Sequence, residues 1–146
     1  LKLSQQGLDL IMQSEGFRAL PYLDVCGKPT IGYGHLLQPG ESYPVSMTMV
    51  TAQVLLEGDV VRFEADVNRD VSVLMNQGEF DALVDFCYNL GDRLLGSTLL
   101  RLLNAGDYAG ADAQLVKWDF AGGKPNAAIK ARRVREMALW GEGAAG

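Results

Sequence analysis

Ser14-Glu15-Gly16-Phe17-Arg18, Pro21-Tyr22-Leu23-Asp24-Val25-Cys26-Gly27 and Thr30-Ile31-Gly32-Tyr33-Gly34-His35 follow one another in a stretch whose structural grammar changes part-way. Upstream of it, Ser4 is placed to cap a helix carrying Leu8, Ile11, Met12 and Glu15, and Gly16 to end it. Beyond Gly16 the pattern becomes extended. Tyr22-Leu23-Asp24 precedes a turn-rich Cys26-Gly27-Lys28-Pro29, and the run from Thr30 to His35 reads as a strand with glycines at alternate positions. A helix followed by a small hairpin is the expectation.

Working outward, Pro39-Gly40 and Pro44 mark a loop, and residues 46–68 carry a helical period in Val50, Val54, Leu55, Val61 and Ala65. Gly58 in its middle offers a place to bend. Asn76 with Glu79 three residues on reads as a capping box ahead of Phe80, Leu83, Val84 and Cys87, and Asn89-Leu90-Gly91 closes that helix. Short helices are expected near 97–104 and 107–117. Ala121-Gly122-Gly123-Lys124-Pro125 is a breaker, and a last helix runs to about Trp140. The fold class is therefore α+β: one hairpin lobe over about 14–58, and a larger helical lobe formed by 59–146 with the first helix.

The 146 residues suit one domain with one substantial core. A net charge of −5 argues against nucleic acid as partner, although Lys124, Lys130, Arg132, Arg133 and Arg135 gather near the C-terminus. Apolar runs such as Leu94-Leu95 and Leu99-Leu100 are too short to span a membrane, and no signal peptide opens these residues. The chain starts on Leu1, which leaves room for a leader or anchor upstream. With two cysteines and the single histidine His35, neither a disulfide framework nor a zinc site is expected.

Glu15, Asp24 and Thr30 are the residues most able to do chemistry. Glu15 falls in the last turn of the first helix, where the negative dipole end and apolar neighbours favour a carboxyl that keeps its proton. Asp24 sits at a tight turn, where backbone N–H groups and solvent favour the ionised form. Two carboxyl groups in opposed environments are what glycoside hydrolysis requires. Thr30, at the start of the next strand, is placed to orient a water beside Asp24.

This stretch closely resembles the catalytic segment of the phage lysozymes, glycoside hydrolase family 24, and of its lambdoid branch and T-even relatives. Phe80-Asp81-Ala82-Leu83-Val84-Asp85-Phe86-Cys87-Tyr88-Asn89-Leu90-Gly91 resembles the family's central helix. Ser97-Thr98-Leu99-Leu100, Asn104-Ala105-Gly106-Asp107-Tyr108, Trp118, Ala121-Gly122-Gly123 and Arg132-Arg133 with Glu136 match in order. The resemblance implies a muramidase that cleaves the β-1,4 bond between N-acetylmuramic acid and N-acetylglucosamine in bacterial peptidoglycan, with inversion. It places the general acid on Glu15 and the water-activating pair on Asp24 and Thr30.

The same resemblance implies a cleft between the lobes with the long helix as hinge, and a structural pair between His35 and Asp59. It implies an enzyme made in the bacterial cytoplasm and acting on the cell wall after holin release or export; no cofactor or metal is expected, and a cleft enzyme of this size is expected to be a monomer. A basic residue early in the last helix would contact Glu15, with Lys130, Arg132 and Arg133 all candidates. Tyr22, Tyr33, Tyr88 and Asn89 are candidate sugar contacts. Three rivals remain: a peptidase or amidase using Cys26 and His35, a wall-binding module without activity, and a lytic transglycosylase that would use Glu15 but not Asp24.

Overall fold

The computed structural model describes residues 1–145, with side chains described to residue 141, and the chain forms two compact units, Ile11–Val61 and Leu1–Leu10 with Arg62 onward. Helix α1 (Gln5–Glu15) contributes to both.

In the first of these units, β1 (Arg18–Leu23), β2 (Pro29–Gly32) and β3 (His35–Leu36) form an antiparallel sheet in that order. Tyr22 stands opposite Thr30, and Ile31 opposite His35. The register slips between Arg18 and Tyr22, around Pro21, which has no N–H to give a ladder. The single strand expected over Thr30–His35 is in fact two. Gly32 and Gly34 adopt φ of 68° and 80°, left-handed values that a continuing strand cannot hold, so the chain reverses there and adds β3. Gly32 also lets α2 (Met49–Asp59) close on the sheet: a Cβ there would lie 3.2 Å from that of Ala52.

The helix expected over 46–68 is likewise two, α2 and α3 (Val61–Asp70), broken at Val60 rather than bent at Gly58. Thr48 caps the first, its hydroxyl accepting from Thr51 N at 3.1 Å. The apolar face inferred from the period was the wrong one. Val50, Val54, Val61 and Ala65 are exposed, whereas Ala52, Leu56, Val60, Phe63 and Val67 are buried. Both faces of this segment are apolar, so periodicity could not choose between them.

The other unit is helical. Its centre is α4 (Gln77–Leu90), on which every residue from Gly78 to Cys87 is buried. The Asn76–Glu79 capping box starts it, Asn76 Oδ1 accepting from Glu79 N at 2.8 Å and Glu79 Oε2 from Asn76 N at 3.1 Å. A 3₁₀ turn (Gly91–Leu94) follows, then α5 (Thr98–Asn104), capped by Ser97, and α6 (Tyr108–Leu115), capped by Asp107. The expected breaker folds as a minute hairpin of β4 (Phe120–Ala121) and β5 (Lys124–Pro125), with both Gly122 and Gly123 at positive φ as the twist of a two-residue turn requires. Helix α7 (Ala127–Ala145) extends beyond the expected end at Trp140 and packs along α4.

Two polar systems sit inside this helical unit. Asp81, 1% exposed, accepts from Ser4 N at 3.0 Å, from Ser4 Oγ and from Gln77 Nε2 at 2.8 Å, which fixes the start of α1 to α4. Gly7 allows the approach, because a Cβ there would lie 2.7 Å from Asp81 Cγ. Deeper, Arg132 grips Asp85 through Nε at 3.0 Å and Nη2 at 2.8 Å, while Arg133 Nη2 lies 2.7 Å from Glu136 Oε1 and donates to Asn89 Oδ1 at 2.9 Å. Burial, and next the negative charge of Asp85, push the Glu136 carboxyl well up, while burial pulls the Arg133 guanidinium down.

Removing one partner of such a buried pair leaves an uncompensated charge in low dielectric. Asp85→Ala is expected to cost about 3–5 kcal/mol, read as a lowered urea midpoint at unchanged m-value.

Candidate active site

Glu15 is the last residue of α1. The helix stops because Gly16 takes φ of 73° and returns its N–H to Met12 O at 3.0 Å, an end that a side chain at Gly16 would strain. The Glu15 side chain is half-buried.

Asp24 follows β1 directly and is fixed by the turn it opens. Its Oδ1 accepts from Cys26 N at 2.9 Å and from Lys28 N at 2.8 Å. Asp24 N in turn donates to Lys28 O at 2.9 Å, and that carbonyl also accepts from Thr30 Oγ1 at 2.9 Å. One peptide unit, at Lys28, therefore ties Asp24 to Thr30. Thr30 is 2% exposed. Its only proton is committed to Lys28, so the hydroxyl turns lone pairs to any further partner. Asp24 keeps Oδ2 outside these bonds.

Tyr22 stands opposite Thr30 across the sheet, with the Arg18 guanidinium over its ring at 4.5 Å. Its phenol is pushed up first by burial and next by the charge of Glu15, with Asp24 adding to this and Arg18 opposing it. Tyr22 thus lies in the field of both carboxylates. Tyr33, 9% exposed, packs against Phe17 with ring centres 5.6 Å apart.

His35 lies on β3 between two carboxylates. Nδ1 is 2.7 Å from Asp59 Oδ2 and Nε2 is 3.0 Å from Glu41 Oε2. Glu41 was not foreseen. The turn after Gln38 carries it back, with Gln38 N donating to its Oε1 at 2.6 Å and Tyr43 OH to its Oε2 at 2.9 Å, and only local turn chemistry at Pro39-Gly40 signals this. With both imidazole nitrogens engaged, no ring nitrogen is left to activate a thiol, which removes the basis for a Cys26–His35 nucleophile. Cys26 is an exposed free thiol. Cys87 is free and buried, and burial pushes its thiol up to about 12.

In the helical unit, Tyr88 meets Phe63 edge-on at 5.6 Å, and Asn89 is held by Arg133. Of the three basic candidates, Lys130 is exposed, Arg132 is engaged with Asp85, and Arg133 with Asn89 and Glu136. A pocket of roughly 400 Å³ in this unit is lined by Leu90, Arg93, Thr98, Lys117, Trp118 and Phe120 among others, an aromatic and aliphatic wall with two cations. Among the described residues no cluster of His, Cys, Asp and Glu is arranged to hold a metal ion, and no helix is long and apolar enough to cross a membrane.

Burial pulls the imidazole of His35 down, but its hydrogen bonds to Asp59 and Glu41, with their charges, raise it above its ordinary 6.5 overall. Glu41 is held below its ordinary 4.5, chiefly by the Gln38 N–H and next by His35. The raised histidine stabilises fully below 6.5 and loses that contribution as pH climbs through its folded value. The depressed Glu41 stabilises above 4.5 and loses its contribution as pH falls through its folded value. His35→Gln is expected to cost about 1–3 kcal/mol near pH 5.5 and less at pH 9, by urea melts at both. Equal losses at the two pH values would remove the charge from the account.

Residues 12–136 match the phage lysozyme family model. The chain is 38% identical to an endolysin of Bacillus phage B103 over 96% of its own length and 54% of that protein's. It thus spans about half the length of the Bacillus phage relatives it matches. It is 35% identical to the endolysin of Salmonella phage P22 over 96% of this chain and 98% of that one. Among solved structures, the endolysin from Escherichia coli O157:H7 phage FAHEc1 superposes with a TM-score of 0.85 at 35% identity, covering 96% of this chain and 93% of that one. With the helix-ended Glu15, the Lys28-centred turn and the small sheet in place, this chain belongs to the phage lysozyme family.

Proposed function

We propose that this chain is an endolysin-type muramidase: it hydrolyses the β-1,4 bond between N-acetylmuramic acid and N-acetylglucosamine of peptidoglycan, with inversion. Glu15 is the general acid, giving its proton to the leaving glycosidic oxygen. Asp24 is the general base, and Thr30 positions the water.

The observation that carries this reading is the hydrogen-bond system around Lys28. Asp24 has one carboxylate oxygen committed to two backbone N–H groups and the other left over. Thr30 has its proton committed and its lone pairs left over. A water between them meets two acceptors, one for each hydrogen, and keeps a lone pair for attack on the anomeric carbon. Asp24 takes one proton as the new C–O bond forms, Glu15 gives one as the old bond breaks, and the balance closes. A lytic transglycosylase needs no such water, so a turn built to hold Asp24 favours hydrolysis.

Family membership and the endolysin names of the relatives support the wall as site of action. Tyr22, Tyr33, Tyr88 and Asn89 are the proposed sugar contacts. The enzyme is proposed to act as a monomer, made in the host cytoplasm and reaching the wall after holin release or export, with neither metal nor cofactor.

Purified peptidoglycan digested by the protein should release hydrated muropeptides ending in reducing muramic acid, by mass spectrometry. Glu15→Gln and Asp24→Asn should each lower the rate by at least about 10²–10⁴-fold. Anhydro products that survive Asp24→Asn would mean a transglycosylase, and freed peptides with intact glycan would sink the reading. Thr30→Ser, which keeps both the Lys28 bond and the acceptor, should stay within about tenfold of the parent, whereas Thr30→Val should fall about 10²-fold or more in kcat. Equal activity of the two variants would deny Thr30 its part.

A further inference from the structure

Asn89, near the end of α4, presents an amide whose two ends are chemically different, and the protein has chosen which end faces inward. Its inner neighbour is Arg133, 0% exposed, with Nη2 2.9 Å from Asn89 Oδ1. A guanidinium carries donors only. The Asn89 atom that meets it must therefore be the carbonyl oxygen, because the flipped amide would set N–H against N–H inside the protein. Arg133 cannot turn away either: its Nη2 is also 2.7 Å from the carboxylate of Glu136, which is itself fully buried.

The outward end follows from this. Among the described residues Nδ2 has no hydrogen-bond partner, and it is not sealed from solvent. It is a donor fixed in direction before any ligand arrives, so little rotational freedom is lost on binding. What complements a fixed N–H donor is an acceptor oxygen.

We propose that Asn89 is a one-way hydrogen-bond donor to the cell wall, held in that sense by Arg133 as a positioning residue, and that its ligand is a carbonyl or carboxylate oxygen of peptidoglycan. This rests on the muramidase reading for the identity of the ligand and adds the atom, its polarity and the residue that sets it. The N-acetyl group and the stem peptide both supply such oxygens.

Asn89→Asp separates this from a purely structural role. The carboxylate still accepts from Arg133, so the melting temperature should hold or rise, but a second acceptor replaces the outward donor. In the Glu15→Gln background, sedimentation with purified peptidoglycan should show binding weakened about tenfold, the loss of one hydrogen bond. The weakening should persist at raised salt, which screens repulsion between the new charge and the wall but does not restore a donor. With Glu15 intact, KM should rise and kcat hold.

The same weakening on glycan stripped of its peptides assigns the N-acetyl group, and weakening on intact peptidoglycan alone assigns the stem peptide. Binding within twofold of the Glu15→Gln parent, or a loss that salt abolishes, overturns the proposal. Because binding and product release are read separately, a protein that releases no muropeptides defeats the muramidase reading while the binding comparison still decides on Asn89.

Discussion

Lys28 acts through its backbone N–H and C=O rather than its ammonium, and the candidate catalytic arrangement depends on that. Its N–H and C=O between them hold Asp24 Oδ1, Asp24 N and Thr30 Oγ1. Backbone donors and acceptors are well suited to this, because a peptide unit in a closed turn has no rotamers to search. Gly27 completes the turn with its N–H on Asp24 O and φ of 77°, a conformation that another residue would strain. The sheet then supplies the rigidity: Thr30 is paired on one side with Tyr22 and on the other with Leu36. The neighbouring pair is Ile31 with His35, so the histidine clamp on Asp59 and Glu41 steadies the strand that backs Thr30.

The helical unit meets a different constraint. It buries Asp85, Arg132, Arg133 and Glu136 where an apolar core would cost less. Desolvating these groups is costly, and the bidentate Arg132–Asp85 contact offsets part of it through two charge-assisted bonds. The Arg133–Glu136 contact is close but poorly directed, leaving Arg133 Nε and Nη1 without acceptors among the described residues. Such an arrangement is poor value as stability alone. It makes better sense as a device for direction, since a buried cation with surplus donors dictates the orientation of any amide beside it.

Much of this was legible in the sequence where the signal was local. The Asn76–Glu79 capping box, the Ser97 and Asp107 caps and the end of α1 at Gly16 are each set by residues within one helical turn. Legibility failed where the deciding partner was distant or the local pattern was degenerate. Apolar residues on both faces of 49–59 hid the true core face, and the break falls at Val60, two residues beyond the glycine where a bend was expected. Alternate glycines in Gly32-Tyr33-Gly34 are compatible with a strand until the positive φ values are known. Glu41, Asp81 and Arg133 owe their roles to partners brought close by the fold, from 6 to 77 residues away in the chain.

The candidate site was legible in kind, since Glu15, Asp24 and Thr30 are named by their order and context, but its division of labour was not. Nothing in the residue types says that the hydroxyl of Thr30 gives its proton to a carbonyl or that Asp24 spends one oxygen on the backbone. Those commitments turn two ordinary polar side chains into a matched pair of acceptors. The same logic with the opposite sign holds at Asn89, where Arg133 takes up the acceptor and leaves a donor. In each case the protein sets the polarity of a functional group by occupying its other half, and a bifunctional side chain becomes selective because only one of its faces remains to be used.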